Sequence, residues 1–274
     1  MRFEKWQALG NDYLIVEASN LSFPLTPAAV RRLCDRHAGP GADGVLELAP
    51  PTTSGPVARL RIFNPDGSEA ELSGNGAREA IMYLRRSGAT QDDRFSIETA
   101  AGEIRATILG ETTCRIDMGR ARLRSEHFPG GGEDGTGEVA GWRFQHVAIG
   151  NPQCAIRVAT LNELEALDLP AVGPAIERDP QFPNRTNVSF WCETGARSIR
   201  ARIFERGVGE TQSSGTGACG AAVAFVVQGG RSPVTVRLDG GELEVDVGEA
   251  LDVGLTGWAV PVYRGELLAL PFAR

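Results

Sequence analysis

The sequence predicts a mixed α/β (α+β) fold built from two similar halves. Residues 61–80 read RIFNPDGSEAELSGNGAREA and residues 202–221 read RIFERGVGETQSSGTGACGA, so nine of twenty positions match at a constant offset of 141. The length of 274 residues exceeds that of a typical single domain, which favours two domains. Thirty-four glycines and sixteen prolines separate short apolar runs, a pattern typical of many strands and turns rather than a helical bundle.

The first half is predicted to alternate strands with two helices. Thr26 is positioned to cap a helix over 27–36, and a second helix over 75–86 is expected to stop at Gly88. The segment NPDG at 64–67 predicts a turn. Strands are predicted at 13–17, 45–48, 58–63, 94–98, 103–109 and 113–118.

The second half repeats this order after a glycine-rich stretch. Residues 119–141 are predicted to form the linker zone, with GGGEDGTGEVAG as a flexible surface loop. A strand is predicted at 143–149. The Gly-Asn pair at 150–151 repeats the pair at 10–11, so the duplication is expected to cover whole domains.

The helix predicted over 216–228 is apolar on all sides, since it reads TGACGAAVAFVVQ. Such a helix is expected to be enclosed, for instance by a curled sheet. The last residues, from about 264, are expected to cross back to the first half. We therefore expect one domain at 1–119, joined by 264–274, and a second at 120–263.

Composition limits the class of protein. The net charge of −7 argues against nucleic acid or an anionic membrane as a partner. The first residues, MRFEKWQALGND, contain no apolar signal core, and the sequence contains no apolar stretch of the length that a membrane span needs. We expect a cytoplasmic protein.

No metal or cofactor is expected from the motifs. The five cysteines form no C-x-x-C pair and the three histidines are far apart, so we expect no zinc site and mostly reduced, buried cysteines. The segment SGNGAR lacks the third glycine of a dinucleotide-binding loop, and no P-loop occurs.

The repeated segment itself predicts an anion-binding site. In each copy a serine and a Gly-x-Gly turn precede an apolar helix, and the unpaired N–H groups of a helix's first turn attract carboxylates. If the halves face each other, two such helix ends converge on one anion, with Ser73 and Ser214 on its opposite faces.

Six motifs along the chain carry a family resemblance: LGNDY at 9–13, DRHAGPGADG at 35–44, FNPDGSEAELSGNGAR at 63–78, GNPQC at 150–154, FPNRTNV at 182–188 and ERGVGETQSSGTGA at 205–218. With them, the sequence resembles the diaminopimelate epimerases, which are cofactor-independent amino-acid epimerases, over essentially its whole length. The resemblance implies two pseudo-symmetric domains, each a curled, mostly antiparallel sheet around a central helix, with the active site in the cleft between them. It also implies a homodimer and a role in lysine and cell-wall precursor synthesis.

The resemblance implies roles for individual residues. One group would hold the distal carboxylate and amine of an amino-acid substrate: Asn64, Asn187 and Arg206, helped by Asn11 and Glu205. A guanidinium fork and amide groups suit a carboxylate. Asn151 is a further substrate-binding candidate. A second group would hold the carboxylate at the reacting carbon: Gly74, Asn75, Gly215 and Thr216.

The chain departs from the family where the reaction occurs. The resemblance implies catalytic cysteines at 73 and 214, one removing the α-proton and the other delivering one, yet both positions are serine. The histidine that would assist position 73 is Gln153, whereas Glu205, the expected partner of position 214, is present. A thiol can be tuned to ionise at neutral pH, but a hydroxyl is weakly acidic and needs an adjacent base. A laboratory Cys-to-Ser pair would normally leave the histidine in place, which favours natural divergence over an engineered substitution.

Each candidate also has a structural interpretation. A serine before a helix is a good N-cap, and an asparagine before Pro-Asp-Gly is a turn former. Glu205 and Arg206 are alternatively a surface ion pair, and the asparagines after glycine are alternatively Asx-turn residues. Cys219, about 140° around the helix from Ser214, and His146 are weaker substitutes for the missing groups.

Three functions remain open on the sequence. The first is epimerisation of diaminopimelate, or of a similar amino acid, through serines and with impaired rate. The second is an isomerase or lyase of the same fold that acts on another small carboxylate with one proton-transfer group, Glu205. The third is a protein that binds an amino acid without catalysis.

Overall fold

The computed structural model describes residues 1–268, and the chain divides into two compact units. The first comprises Met1–Ile116 and the C-terminal segment from Gly257, and the second comprises Asp117–Thr256. The predicted C-terminal return extends to residue 274, and its last six residues lie outside the described part. The domain bounds given above stay a prediction.

The N-terminal segment of the first unit contains seven complete strands, two helices and a short 3-10 turn at Ala18–Asn20. Its elements are β1 (Arg2–Ala8), β2 (Asn11–Glu17), α1 (Pro27–Cys34), β3 (Gly44–Ala49), β4 (Ala58–Phe63), β5 (Glu69–Ala70), α2 (Gly74–Ser87), β6 (Arg94–Thr99) and β7 (Gly102–Ile108), followed by β8 (Thr113–Arg120) at its end.

The second unit contains three helices and a longer series of strands. Its elements are β9 (Thr136–Val139), β10 (Trp142–Ile149), β11 (Asn151–Arg157), α3 (Leu161–Ala166), α4 (Leu169–Glu177), β12 (Asn187–Gly195), β13 (Ser198–Glu205), β14 (Gly209–Thr211), α5 (Gly215–Val227), β15 (Val234–Leu238), β16 (Gly241–Val247) and β17 (Asp252–Trp258). The strand that follows, β18 (Val260–Glu266), belongs to the first unit, where it pairs antiparallel with β1.

The two units share one pattern of strand pairing. In the first, β1–β2, β3–β4, β4–β5, β6–β7 and β7–β8 are antiparallel, and β2–β3 and β4–β6 are parallel. In the second, β10–β11, β12–β13, β13–β14, β15–β16 and β16–β17 are antiparallel, and β11–β12 and β13–β15 are parallel. The duplication therefore covers whole domains, as the paired Gly-Asn steps predict, and each sheet is mostly antiparallel.

Each sheet curls around one helix. Helix α5 packs against β10, β11, β12, β13, β15 and β16, and every residue of Gly215–Phe225 is buried. Helix α2 contacts β1, β2, β3, β4 and β18. The predicted enclosure of the apolar helix is confirmed, because a helix without a polar face is stable only when all its sides are covered.

The helix ends follow local signals. Thr26 Oγ1 accepts a hydrogen bond from Ala29 N at 3.2 Å and begins α1, as predicted. Gly88 ends α2 with φ +81°, a left-handed conformation that glycine adopts without a steric penalty. Helix α1 stops before the predicted residue 36, because the Asp35 carboxylate accepts the N–H groups of His37 and Ala38 instead.

The predicted flexible loop is partly wrong. Its segment Thr136–Val139 is strand β9, which pairs with β10, and Phe128 in the linker zone is buried in the core of the second unit. The glycine-rich composition concealed this short strand, which pairs with β10 through its backbone and buries Val139 in the core of the second unit. The linker is thus an ordered part of the second unit.

Candidate active site

The central helix of each unit begins at a serine. Ser73 Oγ accepts a hydrogen bond from Gly76 N at 3.1 Å, and Ser214 Oγ accepts one from Gly217 N at 3.2 Å. Both serines are therefore N-caps, as their structural interpretation predicts. The N–H groups at the first two helical positions, Gly74–Asn75 and Gly215–Thr216, are those that a helix leaves without an internal carbonyl partner, and they carry the positive end of the dipole.

In the first unit a tyrosine lies beside the serine. The Tyr13 hydroxyl donates a hydrogen bond to Ser73 Oγ at 3.3 Å. Tyr13 is buried, and its ring lies against Gly44, its partner in the β2–β3 ladder. A Cβ on residue 44 would come 2.5 Å from Tyr13 Cε1, so glycine there allows the ring to reach the serine.

The amides predicted to bind substrate in this unit are linked to each other. Asn75 Nδ2 donates to Asn11 Oδ1 at 3.2 Å, and Asn11 Nδ2 donates to Asp43 Oδ2 at 3.2 Å. Arg78, fully buried in α2, donates to Asn75 Oδ1 at 2.7 Å. This chain of bonds fixes the orientation of both asparagine side chains next to the start of α2.

Asn64 occupies the turn between β4 and β5. Its Nδ2 donates to Ser68 Oγ at 3.0 Å, and its backbone N–H donates to the Ser68 carbonyl at 2.8 Å. The turn predicted at 64–67 is present. Asn64 is partly exposed, so its amide remains accessible to a ligand.

In the second unit a carboxylate lies beside the serine. Glu205, at the end of β13, accepts a hydrogen bond from Thr211 Oγ1 at 2.8 Å, and the Ser214 side chain lies close enough to the carboxylate to lower its pKa. Burial raises the pKa of Glu205 above its usual range, and these two hydroxyls offset only part of that effect. Glu205 interacts with these hydroxyls and forms no ion pair with Arg206, so the predicted alternative of a surface ion pair is wrong.

Gln153 is fully buried on β11 and does not bond to Ser214. Its Nε2 donates to Asn151 Oδ1, while its Oε1 has no hydrogen-bond partner. Asn151 Nδ2 in turn donates to Thr216 Oγ1 at 3.3 Å, at the start of α5. The methylenes of Gln153 lie over Gly220, where a Cβ would come within 2.8 Å of them.

Asn187 and Arg206 are held by backbone groups. Asn187 is buried, donates to the Pro152 carbonyl at 3.1 Å and accepts from the Arg206 backbone N–H at 2.9 Å. The exposed Arg206 side chain donates from Nη1 to the Asn184 carbonyl at 2.8 Å. A guanidinium has five N–H donors, so this contact orients the group and leaves donors for a carboxylate.

His146 does not replace the missing imidazole. It pairs with Cys154 in the β10–β11 ladder, one register from Gln153, so the two side chains lie on opposite faces of the sheet. Gln153 faces Gly220 of α5, whereas His146 packs against Phe128, with ring centroids 5.5 Å apart. Burial lowers the pKa of His146 to about 4, which keeps the ring neutral at pH 7.

No cysteine replaces the missing thiols. All five are buried, as the sequence predicts, and none forms a disulfide: Cys34, Cys114, Cys154, Cys192 and Cys219. Within residues 1–268, no group of three or more histidine, cysteine, aspartate or glutamate side chains could hold a metal ion. Among the same residues, no helix has the length and apolarity of a membrane span.

Sequence reasoning did not assign a role to Tyr13 or Gly44. Both lie within motifs that the sequence displays, and Tyr13 occupies the position in its half that Gln153 occupies in the other, at an offset of 140. The alignment of the two halves at this offset is the signal that could have found Tyr13, because it matches Tyr13 with the candidate residue Gln153.

Sequence comparison places these features in a known family. The family model described as diaminopimelate epimerase matches residues 3–124 and 146–260. The protein named diaminopimelate epimerase from Pelotomaculum thermopropionicum is 41% identical, over 97% of this chain and 98% of its own length. The one from Moorella thermoacetica is 39% identical, over 97% of this chain and 99% of its own length.

Solved structures share the fold at low sequence identity. A probable proline racemase from Agrobacterium radiobacter superposes with a TM-score of 0.73 at 18% identity, covering 99% of this chain and 94% of its own. A phenazine biosynthesis protein of the PhzF family from Bacillus anthracis superposes with a TM-score of 0.72 at 18% identity, covering 98% and 99%. The paired domain pattern, the two serine-capped helices and the full-length relatives lead to one conclusion: the chain belongs to the diaminopimelate epimerase family.

Proposed function

We propose that this chain is an isomerase that epimerises diaminopimelate between its LL and meso forms by two-base proton transfer without a cofactor. The observation that carries the proposal is the duplicated serine at the start of a glycine-rich helix end, one copy of which, Ser214, lies beside the carboxylate of Glu205. The other two functions considered above, a lyase or isomerase for another acid and a non-catalytic binder, have no observation in their favour.

Two sets of groups would bind the substrate. The first-turn amides of α2 and α5 suit the carboxylate at the reacting carbon, because helix N-termini attract anions. The exposed guanidinium of Arg206 and the amides of Asn64 and Asn187 suit the distal carboxylate, with Asn11 and Asn151 nearby in their respective units. The backbone contacts of Asn187 and Arg206 support this role, since they hold both side chains before a ligand arrives.

Ser214 and Glu205 form the base in this proposal. Ser214 Oγ takes the α-proton while the proton of its own hydroxyl passes to the Glu205 carboxylate, so the number of protons is conserved. The electron pair left on the α-carbon accepts the proton of the Ser73 hydroxyl on the opposite face, which inverts the configuration of the α-carbon. Gln153 has no proton to exchange and takes no part in these steps.

The serines make a slow epimerase. A positioned general acid or base contributes roughly 10²–10⁴-fold to a rate when its pKa matches the working pH. A serine hydroxyl is far from that match, whereas a thiol with a pKa of about 8.5 is close to it. We therefore expect measurable turnover well below that of a family member with two cysteines.

The test is to incubate the protein with LL- and with meso-diaminopimelate in deuterated water and to follow the α-proton by NMR. Loss of the α-proton signal with formation of the other stereoisomer is the expected result. The matched control is the double variant Ser73→Ala with Ser214→Ala, which should leave the substrate unchanged. Binding of either isomer without exchange would overturn catalysis and identify a binding protein, and exchange of a different acid would identify another substrate.

The resemblance also supports a homodimer working in the cytoplasm. Sedimentation equilibrium at several concentrations tests the first part, with a mass of twice 29.2 kDa as the expected result. A monomer at all concentrations would contradict it. Cell fractionation with an antibody tests the second part.

A further inference from the structure

Ser73 has a proton donor of its own. Its Oγ accepts two hydrogen bonds, one from Gly76 N at 3.1 Å and one from the Tyr13 hydroxyl at 3.3 Å. With both bonds accepted, the serine's own proton remains to be donated elsewhere. Ser73 is partly exposed, whereas Tyr13 behind it is buried.

The position of Tyr13 is determined by the fold and not by rotamer choice alone. Strand β2 places residue 13 opposite Gly44 of β3, and the missing side chain there leaves room for the ring. Packing already restricts the two side-chain torsions of Tyr13. Holding its hydroxyl at the serine therefore costs little further conformational entropy.

The second unit has the opposite arrangement. There the residue equivalent to Tyr13 is Gln153, which bonds to Asn151, and the Ser214 side chain lies beside the carboxylate of Glu205. The residue equivalent to Glu205 in the first unit is Asn64, which bonds to Ser68. The polar neighbour of each serine therefore comes from a different strand: a phenol that donates a hydrogen bond at Ser73, and a carboxylate, which is an acceptor, at Ser214.

We propose that Tyr13 is a positioning residue that supplies Ser73 with a proton during epimerisation, an inference that rests on the proposed function. When the Ser73 O–H bond breaks and its proton bonds to the α-carbon, the Tyr13 O–H bond breaks and its proton re-forms the serine hydroxyl. The negative charge then rests on the phenolate. Before the next turnover the phenolate takes a proton from water and the protonated Glu205 returns one to water, so both groups are reset with no net change in protons. In the reverse direction the phenolate accepts the proton.

The chemistry favours this path over a lone serine. The reference pKa of a phenol is about 10, close to the value of about 8.5 for a thiol, whereas a serine hydroxyl is a much weaker acid. Passing the charge to the phenolate therefore avoids an alkoxide on Ser73. In this way Tyr13 replaces the acidity that the substitution of the thiol removes.

Charged groups surround Tyr13 on the elements packed against β2. The pKa of Glu79, fully buried in α2, is raised well above its usual range by burial, which favours the neutral form of this carboxyl. Asp12 is paired with cations: despite burial, hydrogen bonds from Arg36 and Lys5 lower its pKa to about 2. The remaining groups are Arg78 in α2, Asp43 before β3 and Lys5 in β1. Because the pKa of Glu79 is raised as well, an alkaline dependence of the rate is assigned to Tyr13 only if Tyr13→Phe removes it.

The test compares Tyr13→Phe in two backgrounds. In the natural background, the variant should lower kcat about tenfold or more, leave KM within about twofold, and remove the alkaline dependence of the rate. In a Ser73→Cys background the same change should have almost no effect, because a thiol does not need the phenol. The matched control is Tyr83→Phe, which removes a hydroxyl bonded to Glu17 at 2.8 Å and should leave kcat unchanged.

The outcomes separate this inference from the function on which it rests. No exchange by the unaltered protein overturns both. Exchange that Tyr13→Phe leaves unchanged, or a loss of equal size in both backgrounds, overturns the role of Tyr13 alone and leaves the epimerase function in place.

A titration keeps the inference testable if Tyr13→Phe does not fold. The absorbance at 295 nm follows the ionisation of the chain's three tyrosines, and burial and the bond to Glu17 raise the pKa of Tyr83 far above its usual range. Ser73→Ala removes the acceptor that stabilises the neutral phenol of Tyr13, so one tyrosine transition should move to lower pH. Identical titrations with and without Ser73 would overturn the proposal.

Discussion

Ser73 and Ser214 have nearly the same backbone conformation, with φ −133° and ψ 120° for the first and φ −140° and ψ 119° for the second. Their polar neighbours nevertheless differ, since Ser73 accepts a hydrogen bond from the Tyr13 hydroxyl, whereas Ser214 lies beside the carboxylate of Glu205 and lowers its pKa. A duplicated frame thus carries two different proton partners. This difference suits a reaction that removes a proton at one position and delivers one at the other.

Replacing Glu205 by glutamine should remove the base. We expect the rate of α-proton exchange to fall by about 10²-fold or more, because an amide cannot take the Ser214 proton. Substrate affinity, measured by calorimetry, should change little. Glu242→Gln is the control, since this carboxylate is exposed and pairs with Arg237. An unaltered exchange rate in Glu205→Gln would show that another group is the base.

Restoring the family's reactive groups should accelerate the reaction. The triple variant Ser73→Cys, Ser214→Cys and Gln153→His is expected to exchange the α-proton at least about 10²-fold faster, because thiols titrate near neutral pH. The same deuterium-exchange assay measures it, and the double cysteine variant that keeps Gln153 isolates the contribution of the imidazole. No gain in the triple variant would mean that the substrate-binding groups have diverged as well.

The charge state of Glu79 should affect stability in a pH-dependent way. Burial raises the pKa of this carboxyl in the folded protein above its value in the unfolded chain. The protein is therefore most stable below the unfolded-state pKa, where the carboxyl is neutral in both states, and it loses this stability as pH rises toward the folded-state pKa. Glu79→Gln keeps the shape without the charge. We expect it to raise Tm more at pH 8 than at pH 5. The increase should be roughly 2–4 °C for each kcal/mol by which the substitution removes the unfavourable free energy of ionising the buried carboxyl.

The control for Glu79 is Glu103→Gln, an exposed carboxylate for which the same substitution should not change Tm at either pH. An equal effect of Glu79→Gln at both pH values would contradict the buried, neutral state.

The structural part of the serine's role can be separated from its chemistry. Ser214→Ala should lower the free energy of unfolding by about 1–2 kcal/mol, since it removes a helix cap and a partner of Glu205. Thr160→Ala removes a cap of similar geometry at α3, away from either serine, and should cost about 1 kcal/mol while leaving exchange intact. Chemical denaturation measures both. Loss of α-proton exchange in Thr160→Ala would show that the exchange assay responds to reduced stability and not to the chemistry of Ser214.

Gly220 should not tolerate a side chain. A methyl group there would lie 2.8 Å from Gln153 Cβ and Cγ, and overpacking of this kind typically costs about 1–3 kcal/mol. We therefore expect Gly220→Ala to lower Tm, although alanine favours a helix. Gly110→Ala is the control, because no atom lies within 4 Å of its added Cβ. Equal Tm values for the two variants would contradict the close packing of Gln153 on α5.

Local signals predicted some elements well and missed others. The strand Ala58–Phe63 has the predicted bounds, and the helices that begin after Ser73 and Ser214 start within one residue of the predicted positions. Helix α4 was not predicted, because Pro174 inside it is a helix breaker in most contexts and packing against β12, β13 and β14 overrides that preference. Strand β9 was not predicted, because its four residues lie in a glycine-rich stretch that is typical of a loop, and backbone groups make its pairing with β10.

The sequence alone determined the duplication, the caps at Ser73 and Ser214, the burial of the apolar helix and the family, since each depends on residues close together in the chain or on motif order. Only the tertiary structure decided the partners of the two serines. Tyr13 and Ser73 lie 60 residues apart, and their contact exists because β2 lies beside β3 with a glycine opposite the ring. Which way each proton points, and which carboxylates are buried, depends on packing between distant segments, for which no local pattern is diagnostic.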